Sequence, residues 1–359
     1  MPLFLLTDIL AQASLHMIFG DHDHPEPGVV QYVSGIGEKP VSMASRNLPP
    51  KSDQTIRIIV VSDTHERHDK LLKLPEGDIF FHCGDVLLTS RFFSLSNSRK
   101  KLAKFNEWLR DVPCGTKIVI GGNHDDAMES LGREGVQSIL TEAVYLVNDL
   151  VQIGDLRVWG TPVSTGRSRN RAFQGRKFAN RSVDEAPDDV DILLTHGHCP
   201  DLERRVKHSL HLWGHAHNAY GIRQPPRILR GEPVVSLSVC APILDKKFRP
   251  AHKPIVIDVP ASANVLKRLV NDKFSAAIAS IDRGQRSNSA VSDVKNVESD
   301  YTSEFNLFPA GRKKRGARSR SRGGGSRASD TNGAGGARRR KKKWFPFGRG
   351  NSVVPESNA

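Results

Sequence analysis

The run Ile56-Arg57-Ile58-Ile59-Val60-Val61-Ser62-Asp63-Thr64-His65 decides the fold. Its β-branched residues predict a strand over residues 56–61, and that strand ends in polar residue types able to bind a metal. The same grammar returns four times. A strand expected at 78–82 runs into Cys83-Gly84-Asp85, and one at 117–120 runs into Gly121-Gly122-Asn123-His124-Asp125. A strand at 192–195 delivers His196-Gly197-His198, and one at 211–213 delivers Gly214-His215-Ala216-His217. Further strands are expected at 157–160, 234–239 and 255–258. An amphipathic helix over 98–109 carries Leu102, Phe105, Trp108 and Leu109 on one stripe. Short β runs with helical stretches between some of them predict an α/β fold. Open α/β sheets take ligands beyond the carboxyl ends of their strands, so five loops far apart in sequence are expected to meet in one crevice.

The residue types in those loops suit two adjacent divalent cations. Carboxylates balance charge, imidazoles suit borderline metals, one amide oxygen is present, and no thiolate is among them, which favours manganese, iron or zinc. Gly84, Gly121, Gly122, Gly197 and Gly214 let the backbone turn sharply beside the ligands and approach an oxyanion closely. Cys83 is read as packing at its strand end.

Around this body the chain is 359 residues long, 38% hydrophobic and 26% charged, with no window near the ~20 unbroken apolar residues of a membrane helix. The formal charge is +14, and it is not spread evenly. Residues 311–350 hold 15 Lys and Arg against the single acid Asp330, leaving 38 basic and 37 acidic residues in 1–310. That segment, poor in apolar residues, is expected to be a disordered basic tail. Nuclear import, counterion-release contact with nucleic acid, or adsorption on anionic lipid through Trp344-Phe345-Pro346-Phe347 are all open to it. The four cysteines lie far apart without a CxxC pair, which points to a reducing compartment, cytoplasmic or nuclear. The organisation expected is an N-terminal helix with an irregular lead-in over 1–55, a globular α/β domain over 56–260, a further helix and linker over 261–310, and the tail from 311.

The motif set resembles the binuclear metallophosphoesterases, also called calcineurin-like phosphoesterases, whose pattern is DxH, GD, GNH[DE], a His before Gly, and GHxH. Here it stands as Asp63/His65, Gly84-Asp85, Gly122-Asn123-His124-Asp125, His196-Gly197 and Gly214-His215-Ala216-His217. The stretches Val61-Ser62-Asp63-Thr64-His65, Phe105-Asn106-Glu107-Trp108-Leu109 and Asp191-Ile192-Leu193-Leu194-Thr195-His196-Gly197 are similar to the small branch of metallophosphoesterase-domain-containing proteins. The resemblance covers about residues 57–260. It implies a double β-sandwich flanked by helices, and a phosphoric ester hydrolase acting on mono- or diesters, cyclic nucleotides among them, through a hydroxide bridging two metal ions. It further implies Asp63, His65 and His217 on one metal, Asn123, His196 and His215 on the other, and Asp85 between them. His124 would lie near the phosphate as a catalytic proton donor or charge stabiliser. One departure is His196-Gly197-His198-Cys199-Pro200, where the branch usually has His-Gly-Pro-Pro, with only 16 residues between His198 and His215. His198 is thereby a candidate phosphate contact. The competing expectation is a scaffold or phospholigand-binding protein that keeps the metal site with little turnover.

Overall fold

The computed structural model describes residues 28–266, apart from 36–37, 72, 89–93, 166–169, 224–225 and 230–231. The first sheet holds β1 (Val29–Val33), β2 (Val41–Ala44), β3 (Thr55–Val61), β4 (Gly77–His82), β5 (Cys114–Ile120), β6 (Val144–Leu146) and, from much later in the chain, β15 (Ile255–Pro260). Their order is β2-β1-β15-β3-β4-β5-β6. The second sheet holds β7 (Asp149–Ile153), β8 (Leu156–Thr161), β9 (Ile192–Thr195), β10 (Leu210–Trp213), β11 (Gly221–Arg223) and β14 (Leu237–Cys240), in the order β11-β14-β10-β9-β8-β7. Strands β12 (Pro226–Leu229) and β13 (Glu232–Val235) form a separate hairpin. Within the first sheet β3, β4, β5 and β6 are parallel, and within the second β8, β9, β10 and β14 are parallel. Carboxyl ends therefore gather on one side of each sheet.

The side-chain period of two explains the layering. Alternate residues Ile58, Val60, Ile79, Phe81, Ile118 and Ile120 of the first sheet face Ile192, Leu194, Leu210, Leu212, Leu237 and Val239 of the second in one buried cluster. The other face of the first sheet, with Ile59, Val61, Phe80 and Val119, is covered by helices α1 (Leu95–Asp111) and α2 (Asp126–Gln137) through Leu102, Phe105, Leu109, Met128 and Val136. Trp159 and Leu193 on the outer face of the second sheet pack with α3 (Arg176–Glu185) and α4 (Pro200–Arg205). Two mixed sheets flanked by helices are the architecture the sequence predicts. No helix among the described residues is long and apolar enough to cross a membrane.

The stretch expected to be an irregular lead-in is corrected. Residues 29–33 and 41–44 are strands, with β1 parallel to β15 and antiparallel to β2. A buried polar lock fixes this side of the sheet: Arg57 donates to both oxygens of Asp258, at 2.9 and 2.8 Å, and Tyr32 Oη donates to Asp258 Oδ2 at 2.9 Å. The lock spans β1, β15 and β3. The single strand expected over 234–239 is two: it breaks at Ser236, so that β13 joins the hairpin and β14 pairs with β10. Val234-Val235-Ser236-Leu237-Ser238-Val239 holds no Gly or Pro to mark such a change of partner. The helix expected from Ala261 begins at residues 263–266. Its remainder, the N-terminal helix, the linker and the basic tail lie outside the described residues.

Candidate metal centre

Each of the five loops leaves the carboxyl end of β3, β4, β5, β9 or β10, and each bends at once. Asp63, His65, Asp85 and His215 hold left-handed backbone angles, with φ of 55, 42, 54 and 66°. Non-glycine residues rarely adopt that region, and here local bonds over-determine it. Asp63 N donates to Gly84 O, His65 N to Asp85 O, and His215 N to Asp63 Oδ2. Glycine is required where these loops touch: a Cβ on Gly214 would sit 1.9 Å from Ser62 Oγ, and one on Gly122 would sit 2.3 Å from Asp85 Oδ1.

Asp125 fastens two of the loops together. Its carboxylate accepts from Leu87 N and Gly122 N, both at 2.8 Å, and from Val86 N at 3.2 Å. The Gly-Asp loop after β4 and the turn after β5 are thereby one unit. Beneath the site a buried threonine supports a buried histidine in each sheet: Thr64 Oγ1 lies 2.9 Å from His82 Nε2, and Thr195 Oγ1 lies 2.8 Å from His211 Nε2.

The ligand types predicted from sequence converge. Asp63, His65 and His217 form one cluster of potential metal donors, and Asp85, His196 and His215 form a second, the donor atoms of each lying within 4.8 Å of one another. Asp85 reaches both: Oδ1 is 3.3 Å from His196 Nε2 and Oδ2 is 3.7 Å from His65 Nε2. Asn123 Oδ1 lies 3.0 Å from His196 Nε2 and 2.7 Å from His215 Nδ1, so it belongs with the second cluster. His65, Asp85 and His124 form a third, overlapping cluster.

Outer partners aim the rings. His65 Nδ1 lies 3.2 Å from Leu87 O, His196 Nδ1 2.8 Å from Cys83 O, and His217 Nδ1 2.8 Å from Leu244 O. A ring whose Nδ1 hydrogen is given to a backbone carbonyl presents its Nε2 lone pair inward, the arrangement in which imidazole ligates. Asp63 Oδ1 and His65 Nε2 are buried with no hydrogen-bond partner. Burying such atoms unpaired is costly, and a divalent cation would satisfy both, so the residues present fit one.

The electrostatics match. Burial of the Asp85 carboxylate opposes ionisation, yet His196 and His65 outweigh it and hold that group well below the usual carboxylate range. Asp63 is likewise held down, chiefly by His217 against burial. Burial pushes His65 down to about 4, keeping that ring neutral, while for His196 the Asp85 carboxylate overrides burial and takes it up to about 9.

His124 stands at the margin of this cluster, half-buried, with its ring edge-on to His65 at 4.6 Å between centroids. Asn170 Nδ2 lies 3.0 Å from its Nε2 and 3.2 Å from its Nδ1, a neighbour that sequence reading missed. His198 turns toward α4, its Nε2 3.1 Å from Glu203 Oε2, and it belongs to none of the three donor clusters. Phe248, also missed, lays its ring against His65, His124 and His217 at centroid distances of 4.8, 5.9 and 5.5 Å. The thiol of Cys83 is buried and pushed well above its usual range by burial, which leaves no reactive thiolate there.

A profile of the calcineurin-like phosphoesterase family matches residues 56–219. Metallophosphoesterase domain-containing protein 1 of Homo sapiens is 30% identical over 265 residues, which cover 60% of this chain and 74% of that protein, and its Mus musculus counterpart matches to the same extent. A UPF0046 protein of Caenorhabditis elegans is 28% identical over 251 residues, covering 59% of this chain and 83% of its own length.

Proposed function

The chain belongs to the calcineurin-like phosphoesterase family, a family of metal-dependent phosphoesterases, and from that premise we propose that it hydrolyses phosphate esters at the crevice formed by its five strand-end loops. The observation that carries this reading is the overlap of donor clusters on Asp85, a carboxylate within reach of both halves. Asp63, His65 and His217 would hold one divalent cation and Asn123, His196 and His215 the other, with Asp85 common to both. The donors are oxygen and nitrogen without thiolate, which suits manganese, iron or zinc. When bound, such a pair acidifies water at neutral pH and withdraws charge from the phosphoryl oxygens.

The chain's own groups do the rest. His124, at the margin of the cluster with an exposed flank, is assigned the delivery of a proton to the leaving oxygen at Nδ1 or Nε2. Asn170 packs against that ring and holds its orientation. No serine or thiolate nucleophile is required, so hydrolysis is direct, without a phosphoenzyme. Mono- and diesters both suit a centre of this kind, small diesters such as cyclic nucleotides included. Residues 311–350, with their 15 basic side chains, are assigned to polyanion contact, nucleic acid or anionic lipid, in the cytoplasm or nucleus.

The test is release of p-nitrophenol from bis-p-nitrophenyl phosphate and from the monoester, with manganese and with chelator. Manganese-dependent turnover that chelator abolishes is the expected result. A protein that binds manganese and phosphate yet turns over neither ester would instead be a phospholigand-binding protein.

A further inference from the structure

Beside the centre, residues 244–249 form a turn that no motif marks. Phe248 holds a left-handed φ of 57°, a conformation that a bulky residue adopts only when its surroundings force it. What forces it is Asp245. That carboxylate accepts from Lys247 N at 2.7 Å and Arg249 N at 3.0 Å on Oδ1, and from the Arg249 guanidinium at 2.8 and 2.6 Å on Oδ2. The backbone closes the same loop, with Asp245 N donating to Arg249 O and Phe248 N to Asp245 O.

Locked in this way, the turn delivers two things to one half of the centre. Leu244 O and Asp245 O accept from His217 Nδ1 at 2.8 and 2.9 Å, which leaves His217 Nε2 facing Asp63 Oδ1 at 3.4 Å. The Phe248 ring stands edge-on to His65 and His217, two imidazoles stacked at 5.4 Å, and closes their outer side. The contacts of this turn fall on His217 and His65 of this half and, with ring centroids 5.9 Å apart, on His124.

We propose that this turn is a positioning element for the cation site of Asp63, His65 and His217 alone, with Asp245 as the residue that sets its grip. The inference rests on the reading of those three residues as one cation's ligands. Asp245 would act only through His217 and Phe248, being itself outside every donor cluster. Groups that orient metal ligands from behind typically change metal affinity by roughly 10- to 100-fold when removed.

The experiment is a calorimetric titration of manganese alone into the full chain. In wild type two equivalents are expected, and Asp245→Ala should weaken one of them roughly 10- to 100-fold while leaving the other unchanged. Asp245→Asn keeps an oxygen for the two backbone donors and should lose less. To assign the weakened ion, Asp245→Ala is repeated on His65→Ala, where the affected half is already broken and no further loss is expected, and on Asn123→Ala, where the full loss should persist. Equal weakening of both equivalents would make the turn a general fold element and overturn the inference, as would no weakening at all. Wild type that takes up no manganese would overturn the ligand reading itself, an outcome distinct from a wild type that binds two ions and an Asp245→Ala that binds them just as well.

Discussion

In the half formed by Asn123, His196 and His215, Asn123 Oδ1 lies 3.0 Å from one histidine nitrogen and 2.7 Å from another, so the donors are drawn onto one another. In the half built on the β3 loop, His65 Nε2 and His217 Nε2 stand 4.0 and 3.4 Å from Asp63 Oδ1, and that oxygen closes no hydrogen bond. This half would meet a cation with its donors already separated. The second half must first give up bonds among its own ligands. Similar residue types thus make one half whose donors stand apart and one whose donors are bonded to each other, and the difference lies in Asn123 Oδ1, which sits between the two histidine nitrogens of the second.

The strongest way to break that contrast is to remove what the halves share. Asp85→Ala should reduce hydrolysis of nitrophenyl esters to background and leave well under two metals by elemental analysis, because two cations would repel across the gap without the carboxylate between them. Two metals with full turnover would show that the halves do not depend on Asp85.

His124→Ala comes next, with kcat expected to fall by roughly 100- to 10,000-fold while metal content stays at the wild-type level. If His124 gives a proton to the leaving oxygen, the deficit should be smaller for a nitrophenyl ester than for an alkyl ester. Loss of a metal in this variant would instead enlist His124 as a ligand through its cluster with His65 and Asp85.

Each half pairs a histidine whose pKa is lowered, His65 or His215, with one whose pKa is raised, His217 or His196, so the protein stripped by chelator should show both an acid and an alkaline limb of stability. His65 has a folded pKa pushed down to about 4, so between there and the unfolded value of about 6.5 the unfolded chain binds more protons, and stability rises with pH. His196, taken up to about 9 by Asp85 in spite of burial, holds its proton in the folded state, so its contribution is fully present below about 6.5 and is lost as pH climbs through 9. Urea unfolding across pH should trace both limbs, with His65→Gln flattening the acid limb and His196→Gln the alkaline one. A profile unaltered by either substitution would show that His65 and His196 do not carry this pH dependence.

The smallest effect on catalysis is expected from deleting 311–359. Turnover of a small ester should stay close to wild type, whereas salt-sensitive retention on heparin, driven by release of counterions, should vanish. A truncated protein retained as tightly at low salt would place polyanion contact on the body instead.

Most of the centre was legible because its chemistry sits in local words: Asp63/His65, Gly84-Asp85, Gly122-Asn123-His124-Asp125 and Gly214-His215-Ala216-His217 each follow a strand, and the strand ends bring them together. What stayed hidden works across sequence distance. Asn170 meets His124 from 46 residues away and carries no pattern that separates it from its arginine-rich surroundings. Asp245-Lys246-Lys247-Phe248-Arg249 looks like a charged surface run, and only the fold shows its carbonyls behind His217 and its ring on His65. Strand β1 went unread because its five residues, Val29–Val33, lie among Pro, Gly and Asp and pair with a strand more than 200 residues later. The break within 234–239 could not be read from hydropathy, since apolar residues stand on both sides of it, Val234 and Val235 before and Leu237 and Val239 after.

That long-range pairing sets an order of events during synthesis. β15 fills the gap between β1 and β3, and its Asp258 ties Tyr32 and Arg57 together across that gap. All five candidate ligand loops have been synthesised by residue 217, yet the first sheet remains split until residue 260 emerges. Until then β1 and β3 each present an unpaired edge, the surface on which strands of other chains add most readily. The nascent protein would therefore carry its full set of candidate ligands before it has a closed sheet to hold them, and exposure of those two edges to chaperones and to aggregation is expected while residues 217–260 are being made.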